Sequence, residues 1–386
     1  MLGDPTKSLT DRVPVNQGPG SVKLGYSPEL DGLRGLAIGS VLVWHYLIVL
    51  VPVPVEPSTW ILHRVLSSTW SGVDLFFVLS GYLIGGILED NRTASNFFGV
   101  FYWRRACRIL PAYLLNLSVF VGLPLLFAQR FAGTDFARDP LPAWSYLLFI
   151  QNLFMASRGL LSGWGVTWSL AVEEQFYLGL PLLVRFGRRW LVPVLLLGCA
   201  AAPLLRFSMP NPVAAYVLPF ARCDSLFLGV LIALLVRHHP SVAARIGSSR
   251  GLAPVLLSCS LVITLAEPYW DKEPMRSLGI FVFALAFGAV LLRTQVSKGG
   301  LMNRVLVHPA LGWLGRRAYF VYLAHGTFLI AFHGLTLRQV PRISGADGLF
   351  VTFAALLATL ASAEISWRLV EGPAIRTGRL TSYRVQ

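Results

Sequence analysis

Charged side chains are scarce in this sequence. Asp, Glu, Lys and Arg make up only 13% of its 386 residues, whereas an average soluble protein has roughly 25%. Because 55% of the residues are hydrophobic, too little polar side-chain surface remains to cover a water-soluble globule of this size. The composition therefore excludes a chain of two or three soluble domains, which the length alone would allow.

Cysteine is scarce, and neither an apolar leader nor an internal repeat is visible in the sequence. The four cysteines lie far apart with no disulfide or metal-ligand spacing, so we interpret them as small buried hydrophobic residues and expect no metal site. The first ~28 residues are polar, which predicts that no cleavable signal peptide is present. No repeat is visible, which weakens a transporter interpretation, since many transporters consist of repeated halves.

Long apolar segments, by contrast, recur along nearly the whole chain. Many approach the ~20 residues that a helix needs to cross a bilayer, and they do not alternate as the strands of a barrel would. Since only helices and closed barrels satisfy their backbone hydrogen bonds in lipid, the sequence predicts an all-α, polytopic transmembrane helix bundle. The eleven segments fall at about 33–55, 73–89, 109–128, 142–155, 169–187, 190–206, 213–236, 252–266, 278–293, 312–335 and 347–370.

The basic residues between these segments predict which of them cross the membrane. If the N-terminus is cytoplasmic and the shortest segment, 142–155, does not cross, the later basic clusters fall on the cytoplasmic side, apart from Arg338 and Arg342. We therefore predict about ten spans plus one short re-entrant or non-spanning segment, with both termini cytoplasmic. This arrangement explains the net charge of +14 without nucleic-acid binding.

The same pattern divides the chain into three parts. Residues 1–28 are predicted to form a cytoplasmic N-terminal tail, residues 29–373 the transmembrane domain, and residues 374–386 a cytoplasmic C-terminal tail. Because only about 15 residues follow the last apolar segment, we expect the chemistry to lie within the bundle or its short loops.

Ionisable residues inside apolar segments are costly in a bilayer and mark candidate functional sites. Arg34 and His45 are eleven positions apart, about three helical turns, so they share one face of the first span. His45 then lies near the membrane midplane, where an imidazole can act as a general base at neutral pH. The alternative is a histidine that only packs against neighbouring helices.

A pair of arginines follows the second span. Arg105 and Arg108 are three residues apart, so they project from one face of a helix at the cytoplasmic boundary. Guanidinium groups bind phosphate oxygens through paired hydrogen bonds, so the pair is suited to a ligand that carries several phosphates. The alternative is a positively charged anchor at the membrane surface.

Two adjacent carboxylates, Glu173 and Glu174, lie one to two turns into a later span. They are hard to explain by packing, and their predicted depth is that of His45, so one of them could orient its imidazole. Other polar residues in apolar segments are Asp74 near the outer end of the second span, Arg222 and Asp224, expected to pair with each other, and His325.

Several blocks of the sequence, in this order from about Glu29 to Pro373, resemble the acyltransferase-3 family. They are Leu30-Asp31-Gly32-Leu33-Arg34-Gly35 with His45 after ten residues, Gly72 to Tyr82, Arg105-x-x-Arg108, Trp168 to Tyr177, Arg222-x-Asp224, Leu314 to His325, and Glu371-Gly-Pro373. The family consists of bacterial integral membrane enzymes that O-acylate glycans or secondary metabolites such as macrolide antibiotics, usually with acyl-CoA as the donor.

The resemblance implies roles for individual residues. His45 takes the place of the family's essential histidine, and Arg34 that of the arginine in its Arg-x10-His motif. Arg105 and Arg108 fall on the arginine pair tied to donor binding. Two departures are visible: the segment 316–319 reads Arg-Arg-Ala-Tyr where a Ser-Tyr is usual, and a C-terminal hydrolase-like domain, which some members carry, is not found in this sequence.

The sequence thus predicts an O-acyltransferase of the bacterial cytoplasmic membrane. It would move an acyl group, most simply acetyl, from acyl-CoA to a hydroxyl of a glycan or a macrolide-type metabolite, with His45 as the general base. We assign catalytic roles to His45, Glu173, Glu174 and Asp74, donor binding to Arg34, Arg105, Arg108 and Asp31, and acceptor binding to Trp168, Tyr177, Arg222 and His325. The alternative function is a multi-pass transporter or flippase that uses intramembrane His and Glu residues as a proton relay.

Overall fold

A computed structural model describes residues 27–54, 56–127, 129, 141–161, 164–297 and 299–384 of the chain. These residues are mainly helical and no strand occurs among them, which confirms the predicted all-α class. The predicted tail at 1–28 lies outside the described residues except for its last two positions. The α-helices are α1 (Pro28–Val43), α2 (Pro57–Ser67), α3 (Gly72–Asp90), α4 (Phe97–Leu126), α5 (Ala143–Leu147), α6 (Gln151–Arg158), α7 (Trp168–Phe186), α8 (Arg188–Ser208), α9 (Pro212–Val217), α10 (Pro219–His238), α11 (Pro240–Gly247), α12 (Leu252–Ala266), α13 (Ile280–Val296), α14 (Gly300–Leu306), α15 (Pro309–Leu337), α16 (Ala346–Ser366) and α17 (Gly372–Leu380).

Three π-helical turns extend or join these helices. Trp44–Ile48 continues α1, Met275–Gly279 leads into α13, and Trp367–Glu371 joins α16 to α17. Such turns are rare, and they frequently lie at functional sites. The first of them contains His45.

The protein is an integral membrane protein. Within the described part of the chain, 7 helical stretches are long and apolar enough to cross a membrane, or up to 8 if α11 and α12, which are bent by 56° relative to each other, form one span. The 7 are Pro57–Asp90, Phe97–Leu126, Arg188–Ser208, Pro212–His238, Met275–Val296, Pro309–Leu337 and Ala346–Leu380.

The predicted count of about ten spans is therefore not confirmed. Helices α1 and α7, both predicted to span, are not among the 7 stretches, and each carries three charged side chains. Segment 142–155 forms two short helices, α5 with 5 residues and α6 with 8. Each is far shorter than the ~20 residues that a span requires.

Helices α3 and α10 run parallel and in close contact. A methyl group on Gly81 would lie 1.9 Å from the carbonyl oxygen of Leu226, and one on Gly229 would lie 2.2 Å from that of Val78. Only glycine permits backbones to approach this closely. An ion pair joins the two helices at each end, and from Asp74 to Asp90 α3 extends about 24 Å at 1.5 Å per residue.

Helices α1 and α15 pack in the same way, and this contact places two histidines side by side. A methyl group on Gly315 would lie 1.8 Å from the carbonyl oxygen of Asp31 and 3.0 Å from the backbone nitrogen of Gly35. His45 follows Gly35 by ten residues, and His325 follows Gly315 by ten residues. Because the helices are parallel, equal steps along both bring the imidazoles to the same level.

Candidate active site

His45 lies in the π-helical turn after α1 and is half-buried. Its Nδ1 is 3.0 Å from the carbonyl oxygen of Val41. Since a carbonyl only accepts hydrogen bonds, Nδ1 donates, and in the neutral ring the lone pair is then on Nε2. The backbone of its own helix thereby fixes the tautomer of His45 and leaves Nε2 able to accept a proton.

His325 on α15 faces His45. The ring centroids are 4.7 Å apart and the ring planes are inclined at 65°. His325 is fully buried, and its Nδ1 lies 2.7 Å from the carbonyl oxygen of Tyr322, so it also donates from Nδ1. Its Nε2 has no hydrogen-bond partner among the described residues. The hydroxyl of Tyr46 donates to the carbonyl of His325 over 2.9 Å and ties the two segments together.

The carboxylates predicted to assist His45 lie in a different environment. Glu173 accepts a hydrogen bond of 3.3 Å from the Tyr177 hydroxyl, which is 2.5 Å from the Ser80 hydroxyl. For Glu174, one carboxylate oxygen is buried with no partner in the described part of the chain. Val41, rather than Glu174, thus provides the hydrogen bond that orients His45.

The arginines predicted to bind the donor converge on one region. Arg34 pairs with Asp31 over 2.6 Å, and the charges of Arg108 and Arg105 act on its guanidinium. The guanidinium carbon of Arg105 lies 5.8 Å from the ring centroid of Tyr177. Three cations in mutual range form a site suited to a polyanion, because like charges gathered in this way are stabilised by an anion between them.

Arg105 is also within electrostatic range of Glu173 and Glu174. The two carboxylates therefore lie within the helix bundle and close to the predicted donor-binding arginines. Asp31, predicted to take part in donor binding, contacts Arg34 on the same helix. Its direct effect is to orient that guanidinium.

Tyr322 connects the histidine pair to the neighbouring helices. Its hydroxyl donates to the carbonyl of Val166 over 2.9 Å and is 2.6 Å from the hydroxyl of Ser169. Its ring contacts those of His325 and Phe76, at centroid distances of 5.8 Å and 6.0 Å.

The expected pairing of Arg222 with Asp224 is wrong. Arg222 donates to Asp74 over 2.6 Å, and Asp224 accepts from Arg206 over 2.8 Å. Residues two apart on a helix point in different directions, so Arg222 and Asp224 reach different neighbours. Of the predicted acceptor-binding residues, Trp168 lies against Arg222, with its ring centroid 5.4 Å from the guanidinium carbon.

Sequence reasoning missed three polar residues of the site. Ser80 and Tyr322 fall within blocks that carry the family resemblance, but nothing in their spacing shows that they contact Tyr177 and Ser169. Tyr46 is adjacent to His45, and no sequence pattern indicates that its side chain contributes to the site. Among the described residues, no group of three or more His, Cys, Asp or Glu side chains is arranged to hold a metal ion.

Comparison with known proteins identifies the family of the chain. The family model Acyl_transf_3, described as an acyltransferase domain, matches residues 27–367. The chain belongs to the acyltransferase-3 family. Its relatives include the O-acetyltransferase OatA of Staphylococcus aureus (strain NCTC 8325 / PS 47), 27% identical over 377 residues, which cover 92% of this chain. The putative O-acetyltransferase SAS0844 of Staphylococcus aureus (strain MSSA476) is 27% identical over 387 residues, again 92% of this chain.

The chain spans 58% of the length of either relative. No solved structure matches it.

Proposed function

We propose that this protein is a membrane-bound O-acyltransferase that moves an acetyl group from acetyl-CoA to a hydroxyl of a sugar, a glycan or a macrolide-type metabolite. The observation that carries the proposal is the His45 imidazole, held by Val41 as the tautomer with a free Nε2. The family membership and the names of the relatives agree with an acetyl donor and an oxygen acceptor.

The donor binds at the arginines. Arg34, Arg105 and Arg108 hold the phosphates of coenzyme A at the cytoplasmic end of the bundle, with Asp31 orienting Arg34. Arg34 and His45 are eleven residues apart, about 16 Å along the helix. The flexible arm that links the phosphates of coenzyme A to its thiol crosses this distance and brings the thioester to His45.

Transfer then proceeds directly. Nε2 of His45 accepts the proton of the acceptor hydroxyl while the hydroxyl oxygen attacks the thioester carbonyl carbon. The new C–O ester bond forms as the C–S bond breaks, and the departing thiolate takes the proton back from His45. His325 packs against the ring of His45 and keeps it aligned with the reacting atoms.

The carboxylates act at the donor end. Glu173 and Glu174 lie in range of Arg105, so they compensate part of the arginine charge before the donor binds. Tyr177, held by Ser80 and Glu173, supports Arg105, whose guanidinium carbon lies 5.8 Å from the centroid of its ring. We place both termini in the cytoplasm of a bacterial cell because the basic loops then face inward.

The test is transfer of label from radioactive acetyl-CoA in purified membranes, with wild-type protein and His45→Ala. We expect an alkali-labile ester only with wild-type protein, and a rate lowered about 10²- to 10⁴-fold by loss of the base. Turnover retained in folded His45→Ala would refute the role of His45. Accumulation of a substrate in vesicles without acyl transfer would instead support the transporter alternative.

A further inference from the structure

The segment 316–319, in which the sequence departs from the family's usual Ser-Tyr, carries two adjacent arginines in opposite environments. Arg317 is buried, and its Nε donates to the carboxylate of Glu364. Its Nη1 donates to the carbonyl oxygen of Trp313 over 3.1 Å. Its guanidinium carbon lies 4.5 Å from the ring centroid of Trp313 and 5.8 Å from that of Trp367. Arg317 therefore has partners within the chain and holds α15 against α16.

Arg316 has no such partners. Its side chain is exposed, and it makes no hydrogen bond or ion pair with the described residues. Its Nη1 lies over Gly312, one turn nearer the start of α15, where an added methyl group would lie 3.3 Å from it. The guanidinium is therefore accessible, and it points toward the end of the bundle at which α15 begins.

Arg316 lies on the side of α15 that faces α4. Tyr319 is three residues further along, so it shares this side of the helix. Its hydroxyl donates to the carbonyl oxygen of Ile109 in α4 over 3.0 Å. Ile109 directly follows Arg108, and Tyr319 lies within electrostatic range of Arg108. Arg316 is therefore on the face of α15 that is directed toward the proposed donor site.

The packing of α1 on α15 brings Arg316 to the level of Arg34. A methyl group on Gly35 would lie 2.3 Å from the carbonyl oxygen of Leu311, so these two residues are in contact. Arg34 directly precedes Gly35, and Leu311 directly precedes Gly312, over which the Arg316 guanidinium lies. Arg34 is half-buried, whereas Arg316 is exposed. Arg316 therefore stands at the solvent-exposed edge of the arginines assigned to the donor.

We propose that Arg316 is a fourth arginine of the donor site and that it binds the 3′-phosphate of coenzyme A. Coenzyme A carries a diphosphate next to its pantetheine arm and a further phosphate on the ribose, which is the phosphate most distant from the thioester. Arg34, Arg105 and Arg108 are half-buried and hold the diphosphate. The exposed guanidinium of Arg316 meets the outermost phosphate, whose oxygens it can bind through paired hydrogen bonds.

This assignment rests on the proposed acyltransferase function and specifies its donor. The protein should select a thioester whose carrier bears the 3′-phosphate over the same thioester without it. Because Arg316 has no partner in the described part of the chain, its replacement removes a contact to the donor and none that holds the helices together.

Equilibrium binding of coenzyme A and of 3′-dephospho-coenzyme A to the full chain tests the assignment without requiring turnover. Isothermal titration calorimetry is carried out in phosphatidylcholine nanodiscs, which contain no anionic headgroup that could compete for an exposed arginine. We expect wild-type protein to bind coenzyme A roughly 10-fold more tightly, the effect of one charge-assisted hydrogen bond. Arg316→Gln should bind the two nucleotides equally, because its affinity for coenzyme A falls to that for 3′-dephospho-coenzyme A.

Three further variants make the expected pattern specific. Arg316→Lys keeps the charge without the paired donors and should retain part of the preference. Arg108→Gln should weaken the binding of both nucleotides and leave their ratio unchanged. Arg245→Gln is the matched control, because Arg245 is also exposed but belongs to α11, which packs on α10 and α13. It should change neither affinity.

Wild-type protein that binds the two nucleotides equally, or binds neither, overturns the assignment. Arg316→Gln that keeps the full preference overturns it as well. An effect of Arg245→Gln equal to that of Arg316→Gln would indicate surface charge in general and would also overturn it.

The failure of this assignment and that of the proposed function are distinguishable. Release of labelled acetate from acetyl-CoA, with water as the acceptor, is measured in the same nanodiscs with wild type and His45→Ala. Release that depends on His45, without a preference for the 3′-phosphate, leaves the acyltransferase proposal standing and refutes the role of Arg316 alone. A preference that Arg316→Gln abolishes, without any release or transfer of acetate, refutes the acyltransferase proposal and leaves the nucleotide site in place.

Discussion

His45 and His325 meet edge to face, with ring centroids 4.7 Å apart, although most of the chain separates them. The contact follows from the packing of α1 on α15 at Gly35 and Gly315, from which each histidine is ten residues away. Both rings donate from Nδ1 to a carbonyl of their own helix. The arrangement presents two free Nε2 atoms within one small region of the bundle.

The first prediction concerns the function of this pair. Replacing His325 by Ala removes the ring against which His45 packs, and a misplaced base loses much of its effect even when it is present. We expect kcat to fall by roughly 10- to 100-fold while the KM for acetyl-CoA is unchanged. Steady-state kinetics of labelled acetyl transfer measures both parameters.

His333 provides the control, because it lies two turns further along the same helix and is bonded to Thr352 over 2.9 Å. His333→Gln should leave kcat close to that of wild type. Equal losses in the two variants would mean that His325 serves the stability of α15 and not the alignment of His45.

The second prediction concerns the effect of Arg104, Arg105 and Arg108 on the KM for acetyl-CoA. Arg105→Gln and Arg108→Gln each remove a charged donor from the proposed phosphate site, so the KM for acetyl-CoA should rise roughly 10-fold or more per substitution. Arg104 points the other way, and its Nε and Nη2 donate to the carbonyl of Thr381 over 3.0 Å and 2.7 Å. Arg104→Gln, with the same loss of charge, should leave this KM nearly unchanged. A donor KM that responds equally to all three substitutions would indicate a general surface-charge effect.

The sequence singles out many residues of the candidate site but does not indicate which side chains they contact. Apolar length predicted the helices, and the cost of burying charge singled out Glu173, Arg222 and His325. Apolar length and the cost of burying a charge are local properties, which can be read from one segment of the sequence. The partner of each residue depends on helix packing, however, so Arg222 was assigned to Asp224 on its own helix and not to Asp74 on another.

The predicted number of about ten spans is not confirmed, for a related reason. Helices α1 and α7 carry charged residues that we assign to the candidate site, and these residues lower the apolar character by which a span is recognised. Functional helices of this kind are the ones that composition identifies least well.

The third prediction concerns the close contact of α3 and α10. Gly81→Ala places a methyl group 1.9 Å from a carbonyl oxygen, so the helices must separate, at a cost of about 1–3 kcal/mol. Thermal unfolding of the purified protein in detergent should show a lower Tm.

Gly122→Ala in α4 is the control, because nothing lies within 4 Å of its added methyl group. That change should be neutral or stabilising, since alanine favours a helix over glycine by about 0.5–1 kcal/mol. A Tm for Gly81→Ala equal to that of wild type would argue against the contact.

The fourth prediction concerns residues 381–384, which lie as a strap along the start of α4. The backbone nitrogen of Ser95 donates to the carbonyl of Arg384 over 3.0 Å, and the side-chain amide of Asn96 donates to that of Ser382 over 3.0 Å. Arg104 binds the strap through Thr381 and lies 5.2 Å from the ring centroid of Tyr383. The strap is therefore held by hydrogen bonds at its backbone and by one cation–π contact.

The strap keeps α17 against α4, where a methyl group on Gly378 would lie 3.5 Å from the sulfur of Cys107. Combining Arg104→Gln with Tyr383→Ala should release the strap and let α17 open locally, since local opening is favoured where few buried contacts remain. We expect the rate of maleimide labelling at Cys107 to rise severalfold, in a Cys259→Ser background that removes the exposed thiol. Cys199 on α8 is also half-buried but lies away from the strap, so its labelling rate should stay constant. Equal acceleration at both thiols would indicate general loosening of the bundle, and an unchanged rate at Cys107 would mean that α17 stays in place without the strap.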